Sequence, residues 1–276
     1  MTDANEILAA VVAAAAPGAR IASVAPYRCA PLPFPAKLTL DTDDGPVDWV
    51  VKVVADPVPL QLESATLRAL AELGAMGFAI PRVLAGPIPT TAAAGSLHAL
   101  VLSVAPGRVL PWIGVAEVAS ADRTCRLLFD AIDRLHRLTP RVAAHPFAAD
   151  LPERTLDDEL AAAARRVSPW TGTRVMSEAL AVLHEVVPRH RRPLVFSNGD
   201  YNPLNVLADE TGLISWVDFE LACFEDPLIG LPKFQFWADD GGWSLGSKDS
   251  PVDSPPTRMI TQIERATRLL RRDDHR

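Results

Sequence analysis

The stretch that decides the fold runs from residue 193 to residue 227 and reads PLVFSNGDYNPLNVLADETGLISWVDFELACFEDP. It contains three short apolar runs, at 194–196, 204–207 and 213–217, and each predicts a short β-strand. Gly212 follows the polar triplet at 209–211, which predicts a hairpin turn between the second and third strands. We therefore expect the polar residues that follow these strands to lie at neighbouring strand ends.

Three polar residues occupy these positions. Asp200 lies just past the first strand, Asn205 follows five residues later, and Asp218 ends the third strand. Carboxylate and amide oxygens are hard ligands of the kind that Mg²⁺ prefers and shares with substrate phosphates. Kinases use one loop Asp to orient the attacking hydroxyl, and a loop Asn and a later Asp to hold the metal. Turn chemistry also favours Asn and Asp in loops, but the three residues together favour the functional interpretation.

The stretch resembles the catalytic core of the aminoglycoside phosphotransferase and choline kinase family, whose members are relatives of the protein kinases. That family typically reads His-Gly-Asp-x-x-x-x-Asn, then Ile-Asp-Trp/Phe-Glu, then Asp-Pro. The corresponding segments here are 198–205 (NGDYNPLN), 217–220 (VDFE) and 226–227 (DP). Asn198 replaces the usual His, which leaves open how the loop around Asp200 is held.

The resemblance implies an α+β, two-lobed protein-kinase-like fold. Residues 1–104 would form the N-terminal lobe, a small antiparallel sheet with one key helix, and residues 105–276 a mostly helical C-terminal lobe. It also implies an enzyme that transfers a phosphoryl group from ATP or GTP to a hydroxyl of a small molecule. In that enzyme Asp200 would be the base or hydroxyl-orienting group, and Asn205 and Asp218 would bind Mg²⁺.

The composition and net charge limit the classes of molecule that the protein is expected to bind. The 276-residue chain is 49% hydrophobic and 22% charged, which is typical of a globular protein, and its net charge of −7 argues against general nucleic-acid binding. The same charge would suit a cationic acceptor.

The three cysteines are far apart and give no disulfide or zinc spacing. Neither a signal peptide nor an apolar run of membrane length is evident, so we expect a cytoplasmic protein without a membrane partner. Nothing indicates the oligomeric state.

Lys52 lies inside the predicted strand 47–55, where it shares a face with Val50 and Val54. A lysine buried among β-branched residues is costly unless it is paired, although an edge-strand lysine can also extend to water. The resemblance implies that Lys52 binds the α- and β-phosphates of the nucleotide.

Glu63 is the candidate partner of Lys52. In the predicted helix 60–73 it falls on the apolar face with Leu67 and Leu70, whereas Glu72 falls elsewhere. The alternative is an ordinary first-turn glutamate favoured by the helix dipole.

Two segments bear on nucleotide binding. Residues 28–35, between the first two predicted strands, contain no glycine, so no phosphate-covering loop of the kinase type is recognisable there. Residues 105–108 (APGR) resemble the family's linker between lobes, and the resemblance implies that backbone groups of Ser103 and Val104 meet the nucleotide base.

The second half of the chain is predicted to be largely helical, with helices at 121–138, 155–167 and 174–187. His136, near the end of the first, fits a role at the helix C-terminus. The acidic residues at 157–159 fit the dipole at a helix start, with an acidic wall for a cationic substrate as the alternative. Residues 228–237 are predicted to be partly helical, 239–256 a long loop, and 259–272 a closing helix.

Three functions remain open from the sequence. The first is a kinase of antibiotics or amino sugars, which the acidic balance favours. The second is a kinase of a metabolite such as choline, homoserine or a sugar. The third is a nucleotide-binding protein that has lost catalysis, which the glycine-free loop favours but Asp200, Asn205 and Asp218 oppose.

Overall fold

The structure is a computed structural model that describes residues 2–27, 34–74, 76–92, 95–110, 118–167, 174–186, 192–212, 214–227 and 229. Its elements, in chain order, are α1 (Thr2–Ala15), β1 (Arg20–Pro26), β2 (Ala36–Thr42), β3 (Gly45–Val54), α2 (Pro57–Leu73), β4 (Val83–Ala92), β5 (Gly95–Ser103), β6 (Arg108–Val109), α3 (Val118–His136), α4 (Thr139–Ala143), a 3-10 helix (Pro146–Asp150), β7 (Glu153–Arg154), α5 (Leu156–Val167), α6 (Arg174–Val186), β8 (Val195–Ser197), a 3-10 helix (Pro203–Asn205), β9 (Val206–Ala208), β10 (Ile214–Trp216) and β11 (Cys223–Glu225).

The chain divides into two compact units, and each is discontinuous. The first unit comprises Met1–Val109, Pro140–Asp150 and Asn205–Ala222, and the second comprises the remaining segments. The predicted boundary between two lobes at residue 104 stays a prediction. The two compact units do not follow that boundary, because the β9–β10 hairpin belongs to the first unit although it is distant in sequence.

The first unit is built on a five-stranded antiparallel sheet in the order β1-β2-β3-β5-β4. Residues alternate along β3, so that Trp49, Val51 and Val53 are buried in one cluster with α1 while Lys52 takes the intervening register. Burial of these apolar side chains stabilises the unit by roughly 25 cal/mol per Å² of apolar surface removed from water. The register therefore assigns Lys52 to the opposite face of the sheet.

Helix α2 supplies the other half of the Lys52 pair. It begins after Asp56, whose side chain accepts a hydrogen bond from the Val58 N–H, with Pro57 in the first turn, where its missing N–H costs nothing. This cap starts the helix three residues before the predicted Leu60. Leu60, Glu63, Leu67 and Leu70 are all buried, as the helical spacing predicted.

A second sheet of the first unit has the order β10-β9-β6. The predicted turn joins β9 to β10, where the Gly212 N–H donates to the Asp209 carbonyl. Gly107 packs so closely on β9 that a Cβ there would lie 2.9 Å from the Ala208 backbone. A side chain at 107 would push the turn before β6 away from this sheet.

In the second unit, β7 pairs parallel and β8 antiparallel with the central strand β11. The strand before Asp200 is therefore paired with β11, whereas the strand before Asp218 is paired with β9. This corrects the expectation that the strands leading to these two residues are neighbours. The sequence concealed the pairing because β8 and β11 are three residues long and lie 25 residues apart.

The predicted α+β class is confirmed, with an antiparallel sheet and helix α2 in the first unit. Predictions for residues 28–33, for the loop at 239–256 and for the helix at 259–272 lie outside the described residues. Among the described helices, none is both long and apolar enough to cross a membrane.

Candidate active site

The structure joins three of the predicted site residues in one cluster of the first unit. Lys52 Nζ lies 2.8 and 2.7 Å from the two carboxylate oxygens of Glu63 and 2.6 Å from Asp218 Oδ1. The lysine thus bridges a carboxylate from α2 and a carboxylate from the segment after β10. We call Lys52, Glu63 and Asp218 the ion triad.

The ion triad is buried to different degrees. The side chain of Glu63 is fully buried, that of Lys52 is 14% exposed, and that of Asp218 is 34% exposed. A buried carboxylate without a cation would be strongly destabilising. Lys52 therefore compensates Glu63, while Asp218 retains access to solvent.

Two opposing effects act on the protonation of the pair. Burial would lower the pKa of Lys52, but Glu63 and Asp218 outweigh it and raise that pKa above its ordinary value. Burial raises the pKa of Glu63, against the opposing charge of Lys52. The first shift favours the charged pair and the second disfavours it. We take the pair as charged because both Glu63 oxygens lie within 2.8 Å of the ammonium.

The backbone at Asp218 has an unusual conformation. Its φ is +66°, a value that few residues other than glycine adopt, and aspartate and asparagine adopt it most readily. The next N–H, that of Phe219, donates to Glu63 Oε1 at 3.3 Å. Glu63 therefore binds both Lys52 and the chain directly after Asp218, which fixes Asp218 relative to the lysine.

Oxygen ligands for a divalent cation are present in the same unit. Glu63, Asp218 and Glu220 each offer a carboxylate oxygen, and these atoms lie within 4.8 Å of one another. The carbonyl of Asn205 accepts the Val217 N–H at 3.0 Å, which ties the buried Asn205 to the residue before Asp218. A set made only of oxygens suits Mg²⁺. Glu220 is the residue that the sequence argument did not include.

Asp200 lies in the second unit, in a loop where the side chain of Asn198 bonds the Asp200 backbone twice. Asn198 Nδ2 donates to the Asp200 carbonyl at 3.0 Å, and the Asp200 N–H donates to Asn198 Oδ1 at 3.2 Å. One donor and one acceptor are used, so the orientation of the amide is determined by its partners. The asparagine that replaces the family's histidine thus holds the loop directly.

Neighbouring groups complete the support of this loop. The Gly199 N–H donates to Ser197 Oγ at 2.9 Å, and the Asn202 N–H donates to the Asp200 carbonyl at 2.6 Å. The hydroxyl of the fully buried Tyr201 lies 2.7 Å from His136 Nε2. His136 is the last residue of α3, as predicted; its ring contacts the loop, and its carbonyl accepts from Thr139 Oγ1.

The surroundings of Tyr201 are apolar enough to suppress ionisation. Burial, with the charge of Glu225, raises the pKa of Tyr201 and also raises the pKa of the Cys223 thiol to about 12. Burial lowers the pKa of His136. These side chains are neutral at neutral pH, and their role is to hold the loop.

Ser103 and Val104, the residues predicted to contact the nucleotide base, lie at the end of β5. Both the N–H and the hydroxyl oxygen of Ser103 already bond to the backbone of Arg82, at 2.9 and 2.8 Å. Val104 is 39% exposed. The role of these two residues stays a prediction, and Val104 is the better placed of them.

The acidic turn at the start of α5 has structural partners. Asp158 Oδ2 accepts from the N–H and hydroxyl of Thr155, whose oxygen accepts from the Asp158 N–H, which is a capping box. Glu159 pairs with Arg154 at 2.6 Å. These contacts favour the helix-start interpretation over an acidic wall for substrate.

The sequence argument missed Arg154 and Glu225, which form an ion pair in the second unit. Arg154 ends a two-residue strand and Glu225 lies in a three-residue strand, so neither belongs to a periodic pattern. The signal available was a charged residue, Glu225, within the apolar run before Asp226. Burial of that glutamate required a cation from elsewhere in the chain.

A strand lysine paired with a helix glutamate and with the aspartate after β10 is the arrangement by which kinase-like phosphotransferases hold nucleotide phosphates and metal. The chain belongs to the Phosphotransferase enzyme family (APH), whose sequence profile matches residues 34–241. Comparison with curated proteins gave no match.

Antibiotic phosphotransferases are among the solved structures of similar fold, and their likeness confirms the predicted kinase-like fold. The GDP and kanamycin complex of APH(2")-IIia superposes with a TM-score of 0.60 at 15% identity, over 95% of this chain and 86% of that one. Macrolide 2'-phosphotransferase MphH from Brachybacterium faecium gives 0.56 at 16% identity, over 94% and 89%. APH(3'')-Id from Streptomyces rimosus, in complex with ADP and streptomycin, gives 0.51 at 20% identity, over 95% and 98%. At these identities the likeness shows the fold.

Proposed function

We propose that the protein transfers the γ-phosphoryl group of ATP or GTP to a hydroxyl of an antibiotic-like small molecule in a Mg²⁺-dependent reaction. The observation that carries the proposal is the ion triad, in which Lys52 Nζ contacts Glu63 and Asp218 at 2.6–2.8 Å. A solitary structural ion pair would need only one carboxylate. Asp218 supplies the second carboxylate, and because its side chain is partly exposed it can also contact a bound ligand.

Each residue has a distinct role in the proposed reaction. The acceptor hydroxyl attacks the γ-phosphorus, the bond to the bridging β,γ oxygen breaks, and the nucleoside diphosphate leaves. Asp200 orients the hydroxyl and receives its proton. The backbone bonds from Asn198 hold Asp200 in place for this step. Positioning of this kind is a large part of the rate in phosphoryl transfer.

Lys52 would bind the α- and β-phosphates, and Glu63 would hold its ammonium in position. Asp218 and Asn205, with Glu220 nearby, would hold Mg²⁺. Bound Mg²⁺ neutralises charge on the phosphate oxygens as the bond to the leaving group breaks. The nucleotide base would lie against the backbone near Val104.

An antibiotic-like acceptor is supported by what the similar structures bind or act on. They include complexes with kanamycin and with streptomycin, and a macrolide 2'-phosphotransferase. The net charge of −7 suits the cationic members of this group. The capping contacts at the start of α5 supply no acidic wall, so charge selection would rest on other residues.

A transfer assay tests the proposal. The protein is incubated with Mg²⁺ and ATP or GTP against aminoglycosides, macrolides and small metabolites including choline, homoserine and sugars. Release of nucleoside diphosphate and the mass of the phosphorylated product are measured. Asp200→Asn is the matched control, because it preserves shape and removes the base.

The outcomes separate the three functions left open by the sequence. Antibiotic phosphorylation that is lost in Asp200→Asn supports the proposal, and transfer only to a metabolite favours the metabolite kinase. Thermal stabilisation by Mg-nucleotide without transfer favours a nucleotide-binding protein. Ligand at a hundred times its Kd should stabilise the fold by about 2.7 kcal/mol. Absence of both transfer and stabilisation would refute nucleotide use altogether.

A further inference from the structure

Arg154 connects three separate parts of the second unit. Its Nη2 donates to Glu159 Oε1 of α5 at 2.6 Å. Its Nη1 donates to Glu225 Oε2 of β11 at 3.1 Å and reaches the Gly199 carbonyl at 3.4 Å. Gly199 directly precedes Asp200, so the guanidinium extends from two carboxylates to the loop that carries the proposed base.

Only an arginine suits this arrangement. The guanidinium presents several donors in a fixed plane, whereas a lysine ammonium is a single point of charge on a flexible stem. Glu225 is 1% exposed, so it needs a cation nearby. Burial would lower the pKa of Arg154, but the bonds to Glu159 and the charge of Glu225 raise it, so the side chain stays charged.

The peptide group between Gly199 and Asp200 is held from both sides. Arg154 reaches its carbonyl oxygen, and Asn198 Oδ1 accepts from its N–H at 3.2 Å. Gly199 has a φ of +79°, so the peptide follows a residue in the left-handed region. With both polar atoms engaged, rotation of this peptide, and with it the direction of the Asp200 side chain, is restricted.

We propose that Arg154 is a positioning residue for phosphoryl transfer, which fixes the Gly199–Asp200 peptide and thereby the direction of the Asp200 carboxylate. This inference rests on the proposed function for the role of Asp200. Arg154 acts through the loop backbone and does not itself need to touch substrate. Its contribution should therefore appear in kcat, with the KM for nucleotide unchanged.

The first test is Arg154→Lys. Lysine keeps a cation beside Glu225, but its single nitrogen cannot occupy the positions of both Nη1 and Nη2, which contact different partners. We expect kcat to fall about 10- to 100-fold, the range that small displacements of a reacting group produce, while the KM for ATP changes less than about twofold. Arg174→Lys is the matched control and should leave kcat unchanged, because the ion pair of Arg174 with Glu178 lies on an exposed turn of α6.

The second test separates positioning from stability. Arg154→Met alone leaves Glu225 buried without its cation and is expected to unfold readily. The double variant Arg154→Met/Glu225→Gln removes both charges and should fold, yet kcat should stay low because the Gly199 carbonyl lacks its donor. Recovery of wild-type kcat in the folded double variant would overturn the proposal.

The third test asks whether Arg154 acts through Asp200. In an Asp200→Asn background, Arg154→Lys should lower kcat by less than about twofold, because residues that act as a unit are not additive. A full multiplicative loss would mean that Arg154 acts independently, and would also overturn the proposal.

An exchange measurement keeps the inference testable if the protein transfers no phosphoryl group and the proposed function fails. Amide hydrogen exchange in the peptide spanning 197–202 should be at least tenfold faster in Arg154→Lys than in wild type or Arg174→Lys. Equal exchange in the three proteins would show that Arg154 does not hold the loop. Faster exchange confined to Arg154→Lys would support it without reference to turnover.

Discussion

Asn198 and Asp200 are joined by two hydrogen bonds, and both use the side chain of Asn198 and the backbone of Asp200. The amide donates to the Asp200 carbonyl at 3.0 Å and accepts from the Asp200 N–H at 3.2 Å. The carbonyl has a second donor in the Asn202 N–H. Without Asn198 the Asp200 carbonyl would therefore keep a donor, whereas the Asp200 N–H would lose the acceptor that Asn198 supplies.

From this relationship we predict that Asn198→Ala destabilises the protein by about 2 kcal/mol, because the part-buried N–H of Asp200 loses its acceptor and a fully buried amide is removed. Asn198→Ser keeps a neutral acceptor that can bond the N–H two residues on, although more weakly, and should be less destabilising, since the carbonyl retains Asn202. Chemical denaturation monitored by fluorescence gives both free energies. Equal losses in the two variants would contradict this account of the loop.

The ion triad predicts coupled stabilities for Lys52 and Glu63. Lys52→Met leaves the fully buried Glu63 without its cation and should cost about 3 kcal/mol. The double variant Lys52→Met/Glu63→Gln should regain most of that stability, because no buried charge remains, while nucleotide use stays lost. Unfolding free energies from a double-mutant cycle measure the coupling.

The control for this cycle lies on the same sheet. Lys37 and Asp48 form a 2.7 Å ion pair between β2 and β3 whose side chains are about two-fifths exposed. Replacing both should alter stability little and additively, because exposed ion pairs contribute little. Additive losses at Lys52 and Glu63 as well would show that the buried pair is not a unit.

Asp200 and Asp218 should respond differently to the same change. Asp200→Asn should keep the fold and nucleotide binding but lower transfer by about 10²–10⁴-fold, because an amide cannot accept the proton at neutral pH. Asp218→Asn should in addition raise the Mg²⁺ concentration needed for half-maximal rate. Asparagine tolerates the φ of +66° at 218, so backbone strain does not confuse the comparison.

Rates measured across a Mg²⁺ titration distinguish the two variants. An Asp200→Asn protein that turns over near the wild-type rate with its true acceptor would remove the assigned role. Identical Mg²⁺ dependence in wild type and Asp218→Asn would remove Asp218 from the metal site.

We predict that the protein loses stability in mild acid because His136 is buried. Burial lowers its pKa below the ordinary 6.5, so the folded state takes up the proton less readily than the unfolded state. Above the unfolded pKa both states are neutral and the stability is fully present. As pH falls below about 6.5 the unfolded state binds the proton first, and stability declines until the lower folded pKa is passed.

The measurement is the melting temperature at about pH 7.5 and about pH 5.5. Wild type should lose more between these values than His136→Gln, in which the titrating group is absent. His184→Gln, an exposed change on α6, is the matched control and should resemble wild type. A wild-type pH dependence retained in His136→Gln would contradict the assignment.

Prediction from the sequence succeeded best in helices and strands long enough to show a repeating pattern of apolar residues. The helical spacing of Glu63 with Leu67 and Leu70 and the strand register of Lys52 together predicted an ion pair that the structure contains at 2.7 Å. The contact between Lys52 and Asp218 was not predicted, because the two lie 166 residues apart and only tertiary structure joins them.

Short strands and single charges concealed the remainder. The three-residue strands β8 and β11 give no periodicity, so their pairing and the support it gives to the Asp200 loop could not be read. Arg154 lacked any local pattern that would connect it to Glu225, 71 residues later. Asn198 was visible as a departure from the family pattern, but its two bonds to Asp200 depend on loop geometry.

The discontinuity of the first unit bears on how the chain is synthesised. The Ala79 N–H donates to the Ile214 carbonyl, and the Trp216 N–H returns to the Ala79 carbonyl. A fragment ending near residue 104 would lack these partners and the Asp218 contact of Lys52. On the ribosome, the N-terminal sheet therefore emerges about a hundred residues before the last segment of the first unit. The unit must wait incomplete, with the backbone of Ala79 lacking its partners, until residues 205–222 have been made.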